Sequence, residues 1–217
     1  DTGYTGAGAA YVFTRSGTTW TQQQKLVASN PGEYDGFGKG VGISTDGNTV
    51  LVGATGEDTG VTDAGAVYVF TRSGSTWSQQ AFIQCSDRVQ YDGFGAQIAV
   101  SSNGNDAIIG VKEKSGGGAA YVLTRSGTTW SQQAKILSSD LQTGDAFGSN
   151  VDISDNGATV IVGAPTEDTG ASNVGAAYVF TRSGTTWSQQ QKLQASDKQI
   201  YDNFGIAVGL DTTGDLA

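Results

Sequence analysis

Residues 35–83 read DGFGKGVGISTDGNTVLVGATGEDTGVTDAGAVYVFTRSGSTWSQQAFI, and the fold turns on this stretch. FGKGVGIS alternates small and larger residues, TDGN supplies a tight hairpin signal, and TVLVGA is a β-branched run. A polar loop follows. AVYVFTR, a Ser-Gly turn and STWSQQAFI then make a second hairpin. The pattern is four strands in a meander, with no helical period.

The same unit recurs. DGFG at 35–38 and 92–95 becomes DAFG at 145–148 and DNFG at 202–205, and TRSG(T/S)TW ends at Trp20, Trp77, Trp130 and Trp187. The Trp spacings are 57, 53 and 57 residues. The shortfall lies where GVKEKSGGG (110–118) replaces the longer GATGEDTGVTDAG (53–65) and GAPTEDTGASNVG (163–175). Loops absorb such deletions and strands do not. Four-stranded units at this period predict an all-β chain, a β-propeller of four-stranded antiparallel blades forming a single domain over 1–217. The units run about 35–91, 92–144 and 145–201, with 202–217 completed by 1–34. Because the chain opens in the loop before a third strand and stops early in a second, with Asp1-Thr2-Gly3 matching Asp58-Thr59-Gly60, the leading expectation is four blades closed by pairing N- and C-terminal strands. The alternative is part of a larger, seven-bladed ring.

The pairs Phe37-Gly38 with Gly53-Ala54, and Phe147-Gly148 with Gly163-Ala164-Pro165, resemble the FG-GAP repeat, the blade of integrin α-chain-type propellers. The second unit has Gly110-Val111-Lys112 in place of GAP, and the fourth keeps Phe204-Gly205. The resemblance implies an extracellular binding or adhesion module, with calcium in the loop between strands one and two. The corresponding loops here, STDG (44–47), SSNG (101–104), SDNG (154–157) and DTTG (211–214), lack three spaced carboxylates. The resemblance leaves Ca2+ open, but the degenerate loops argue against it, and no metal ligands are assigned.

The net charge is −9, from 12 Lys and Arg against 21 Asp and Glu. That disfavours nucleic acid, whose phosphates call for basic side chains. No apolar run nears the roughly 20 residues of a membrane helix, so no membrane insertion is expected. There is no His, which removes the usual base of a catalytic triad. Cys85 is the single cysteine and replaces an alanine of other units, so it reads as a buried thiol.

Most of the acids fall on the face carrying the strand 2–3 loops and the blade-to-blade loops, whereas Arg15, Arg72, Arg125 and Arg182 mark the opposite face. A negative face attracts cations or basic partners. Two clusters on it are candidate ligand sites. Glu57 with Asp58, and Glu167 with Asp168, pair carboxylates in the strand 2–3 loops. Tyr34-Asp35, Tyr91-Asp92 and Tyr201-Asp202 stand at blade entrances, with Gly144-Asp145 breaking the series. An aromatic ring beside a carboxylate suits a sugar, while an Asp before Gly-Phe-Gly also makes a turn that satisfies backbone amides. The outer strands read SQQQKL or close to it. Their Gln side chains read as solvated, with self-assembly at blade edges as the other reading.

The functional expectation is an extracellular or cell-surface structural or adhesion module, without enzymatic activity, meeting a protein or glycan ligand on a cell or matrix surface. The alternatives are a lectin with repeated weak sites and, third, a glycoside-active enzyme using paired carboxylates.

Overall fold

In a computed structural model of the chain, residues 3–217 are described. An N-terminal hairpin, β1 (Ala10–Ser16) and β2 (Thr19–Leu26), precedes three complete blades. Blade one is β3 (Phe37–Ile43), β4 (Thr49–Ala54), β5 (Ala66–Ser73) and β6 (Thr76–Ile83). Blade two is β7 (Gln97–Val100), β8 (Asp106–Val111), β9 (Ala119–Ser126) and β10 (Thr129–Ile136). Blade three is β11 (Asn150–Ile153), β12 (Thr159–Ala164), β13 (Ala176–Ser183) and β14 (Thr186–Leu193). Each blade is an antiparallel meander in sequence order, as the unit pattern predicts. A bulge interrupts each third–fourth strand pairing, for example at Val69/Phe70 and Val179/Phe180.

The core lies between blades, because a four-stranded sheet has two faces to cover and only its neighbours to cover them. One cluster joins Leu51, Val67 and Val69 of blade one to Ile109, Tyr121 and Leu123 of blade two. A second joins Ile108 and Val122 of blade two to Val151, Val162 and Tyr178 of blade three. The Phe of each entrance is buried edge-on against the third-strand Tyr of its own blade: Phe37 on Tyr68 at 5.3 Å, Phe94 on Tyr121 at 5.7 Å and Phe147 on Tyr178 at 5.6 Å. Two glycines explain the spacing of the repeat. A Cβ on Gly53 would stand 1.9 Å from the carbonyl oxygen of Gly95, and one on Gly163 1.9 Å from that of Gly205. The second-strand Gly of one blade therefore seats the entrance Gly of the next, backbone on backbone.

The outer strands differ from expectation. Several of their glutamines, Gln23, Gln24, Gln80 and Gln133 among them, are clasps between blades, while Gln22, Gln190 and Gln191 are exposed as expected. Trp77, Trp130 and Trp187 donate their indole N–H to Gln23, Gln80 and Gln133 of the preceding unit, at 2.8, 3.0 and 2.9 Å. Gln24 also brackets the Trp77 backbone, accepting from its N–H and donating to its carbonyl, both at 2.8 Å. On each blade an Arg lies over the same Trp, 5.5 Å away for Arg182 and Trp187.

The closure expected between the two ends is not formed among the described residues. β1 pairs only with β2, and 206–217 contains no strand. This segment is laid along β11 instead: Val208 N–H donates to Asn150 Oδ1 at 3.0 Å and Leu210 N–H to Asp152 Oδ2 at 2.8 Å. It takes the place beside blade three that β7 takes beside β3, so acceptor side chains on β11 extend the stack instead of returning the segment to β1. The expected match of Asp1-Thr2 to Asp58-Thr59 lies outside the described residues.

Candidate functional site

Each blade entrance is one tight loop built the same way. The Asp of DGFG turns back to accept a backbone N–H three residues earlier: Asp35 from Gly32 at 2.6 Å, Asp92 from Val89 at 2.7 Å, Asp145 from Gln142 at 2.7 Å and Asp202 from Gln199 at 2.5 Å. Asp35, Asp92 and Asp145 are buried, so the carboxylates beside Tyr34 and Tyr91 organise the turn and are not presented to a ligand, whereas Asp202, beside Tyr201, makes the same bond from an exposed position. Burial, reinforced by Glu57 and Asp58, pushes the Asp35 carboxyl above its ordinary range despite the bond from Gly32. Burial with Glu167 and Asp140 does the same to Asp145.

The residue before that Asp has left-handed backbone. Tyr34, Tyr91 and Tyr201 have φ of 62°, 67° and 67°, and Gly144 fills the equivalent place at φ 100°. The conformation is held through the main chain, since the N–H of Tyr34, Tyr91 and Tyr201 donates to the carbonyls of Thr5, Thr62 and Ser172. None of these bonds uses the ring. Tyr34, Tyr91 and Tyr201 are 71 %, 62 % and 67 % exposed as residues. A large L-residue is disfavoured at positive φ, so the backbone alone would select Gly, as at 144.

Behind the entrances, the strand 2–3 loops settle one buried charge problem in three ways. In blade one Glu57 is buried and bound by neutral donors, Asn30 Nδ2 at 3.2 Å, Thr59 N at 3.2 Å and Gln84 Nε2 at 3.0 Å. In blade three Glu167 is buried and takes Lys192 Nζ at 2.8 Å and Gln194 Nε2 at 2.9 Å, together with Thr169. In blade two the position is inverted. Lys114 is buried there and its Nζ meets Asp92 Oδ2 at 2.7 Å and the Asp87 carbonyl. The fourth-strand partner of the core Tyr follows suit: Lys192 faces Tyr178, Lys135 faces Tyr121, and Phe82 faces Tyr68. The expected carboxylate pairs are therefore split, with Glu57 and Glu167 buried in loop networks and Asp58 and Asp168 exposed. Asp168 accepts the Asn173 N–H at 2.6 Å. Among the described residues, no three His, Cys, Asp or Glu side chains are grouped to hold a metal ion.

Tyr34 and Tyr91 line one groove of about 400 Å³ between blades one and two. The rest of its lining is Thr55, Gly56, Gly93 and Ala96 together with the charged Lys39, Asp63, Asp92, Lys112 and Glu113. Tyr201 stands apart at the last entrance. The counterpart between blades two and three is a smaller hollow of about 280 Å³ with Gly144 where a Tyr would stand. The sequence reading missed Asp63, Lys112 and Glu113, because only the packing of two units brings them beside the rings.

The family model for the FG-GAP repeat matches residues 20–70, 130–180 and 187–217, more than half of the chain. The chain belongs to the FG-GAP repeat family. No curated protein matches it. Among solved structures, a protein described as TolB from Agrobacterium tumefaciens is 14% identical at a TM-score of 0.45, with 80% of this chain and 50% of that one covered. Saccharomyces cerevisiae Sqt1 is 10% identical at a TM-score of 0.46, with 75% and 36% covered. The chain thus spans half or less of the length of these structures.

The FG-GAP matches leave out 71–129, which contains the charge-inverted GVKEKSGGG loop. The calcium that the family resemblance implies does not fit the strand 1–2 loops. Asp46 is engaged by its own loop, accepting from Ser44 Oγ at 2.5 Å, Asn48 N at 2.9 Å and Asn48 Nδ2 at 3.1 Å. Neutral Asn103 and Asn156 occupy the same position and accept the backbone N–H of Asn105 and Ala158 at 2.9 and 2.8 Å. A position that works equally with Asn is a turn former, not a hard-cation ligand.

Proposed function

We propose that this FG-GAP chain is an interaction module working outside the cell, which meets a partner on a cell or matrix surface through its entrance-loop face. One observation carries the reading: Tyr34, Tyr91 and Tyr201 are held exposed on left-handed backbone by bonds that do not need their rings. Exposed aromatics on a rigid scaffold supply contact area at low entropic cost. A binding role fits entrance carboxylates that are committed to backbone amides of their own turns.

The test is solid-phase binding to a panel of matrix proteins and polysaccharides. Three proteins are compared: the unaltered chain, a Tyr34→Gly/Tyr91→Gly/Tyr201→Gly variant, and a Ser73→Asp/Ser126→Asp/Ser183→Asp variant on the exposed hairpins of the opposite face. Saturable binding that the first variant loses and the second keeps is the expected result. Binding to nothing in the panel, or binding lost only in the hairpin variant, overturns the proposal.

A further inference from the structure

We propose that the groove between blades one and two binds a neutral glycan, with pyranose rings stacked on Tyr34 and Tyr91. This rests on the interaction-module reading and names its ligand class. Three observations point to it. The walls are two exposed aromatic rings, which favour the apolar face of a sugar. The other lining residues, Thr55, Gly56, Gly93 and Ala96, are small, so no large aliphatic side chains are present to grip the anchoring side chain of a peptide. The lining holds two cations, Lys39 and Lys112, and three anions, Asp63, Glu113 and Asp92, the last of them buried and paired with Lys114 at 2.7 Å. In a chain of net charge −9 this local balance suits an uncharged ligand, whose hydroxyls can donate to carboxylates and accept from ammonium groups. The volume, about 400 Å³, lies within the range of small-ligand sites.

The equivalent hollow between blades two and three supplies an internal contrast. Lys112 and Glu113 line it too, at the register positions of Thr55 and Gly56, but Gly144 stands in the register position of Tyr91 and its lining contains no aromatic residue. If rings carry the affinity, that hollow does not bind, and the sites are not equivalent around the stack as simple repetition would make them.

The experiment is a glycan array of neutral hexose polymers and oligosaccharides, followed by titration calorimetry on the strongest binder. The full chain is compared with Tyr34→Gly, Tyr91→Gly and Tyr201→Gly. Glycine is tolerated at this position, since Gly144 already occupies it at φ 100°, and circular dichroism checks that each variant keeps its strand signature. Loss of one stacked ring should weaken binding on the order of tenfold, for Tyr34→Gly and Tyr91→Gly alike, with less than about a twofold change for Tyr201→Gly, which lies outside the groove. A blank array overturns the proposal, as does glycan binding indifferent to both groove substitutions. Protein-only binding that the same substitutions abolish overturns the glycan and leaves the interaction module standing. Binding to neither class removes both.

Discussion

Lys114→Met isolates the buried charge of blade two. The Lys114 side chain is 5 % exposed and that of Asp92 1 %, and their charged atoms are 2.7 Å apart. Asp92 otherwise accepts only the Val89 N–H at 2.7 Å, and its Oδ1 has no partner. Removing the ammonium leaves a buried carboxylate with one backbone donor, which costs about 3–5 kcal/mol. At an m-value of about 2.5 kcal/mol/M for a chain of this size, a loss of about 4 kcal/mol lowers the urea midpoint by about 1.6 M. Two companions fix the cause. Lys112→Met breaks an exposed ion pair, 3.6 Å long with side chains 53 % and 64 % exposed, and should cost less than about 1 kcal/mol. Lys114→Met combined with Asp92→Asn removes both charges and should recover most of the loss, since the penalty belongs to the uncompensated carboxylate. A midpoint shift under about 0.4 M for Lys114→Met, or a double variant no more stable than the single, refutes the reasoning.

Three further outcomes follow from the same structure. Gly53→Ala places a methyl against the Gly95 carbonyl and should cost about 3 kcal/mol in urea unfolding, whereas Gly74→Ala, with φ of 61° and open space around it, should cost about 1. Asp35 has its folded pKa raised, so its contribution to stability is full below the unfolded value near 3.8 and is lost as pH rises through the folded value. Thermal melts from pH 3 to 7 should therefore show Asp35→Asn gaining on the unaltered protein as pH increases, and a pH-independent gap would contradict the assignment. Burial pushes the Cys85 thiol up to about 11, so disulfide reagents at pH 8 should label it only at the rate of unfolding. Immediate labelling of the folded protein would show that the thiol is accessible.

The blade was legible because its determinants are local. The β-branched run TVLVGA, the Ser-Gly turns and the fixed Trp spacing depend on neighbours in sequence, and the three complete blades reproduce them strand for strand. The Phe-Gly and Gly-Ala pairs were legible as a repeat, although the backbone contact of Gly53 with Gly95 emerges only when two blades stack. What was not legible depends on partners one unit away. Gln23 and Gln80 read as solvated because periodicity reports which way a side chain faces and not what stands opposite it. The charge inversion at Lys114 looked like a shortened loop, and its meaning rests on Asp92, 22 residues distant. The tyrosines were found for their chemistry, but their pairing with Asp35 and Asp92 as one recognition unit was not what forms, because those carboxylates fold back on their own turns. One signal in the sequence did point to the backbone: Gly144 stands in register with three tyrosines, and a Gly that alternates with a large residue marks positive φ.

The most direct test of the entrance face as the binding surface is hydroxyl-radical footprinting of the chain, alone and with the polysaccharide or matrix protein that it retains in the solid-phase assay. The account predicts protection of Tyr34 and Tyr91 on binding, while Trp20, 64 % exposed on the outer strand, stays as reactive as before. Protection of Trp20 and the arginine-bearing hairpins, with Tyr34 and Tyr91 unchanged, would place the partner on the other side of the molecule and contradict it.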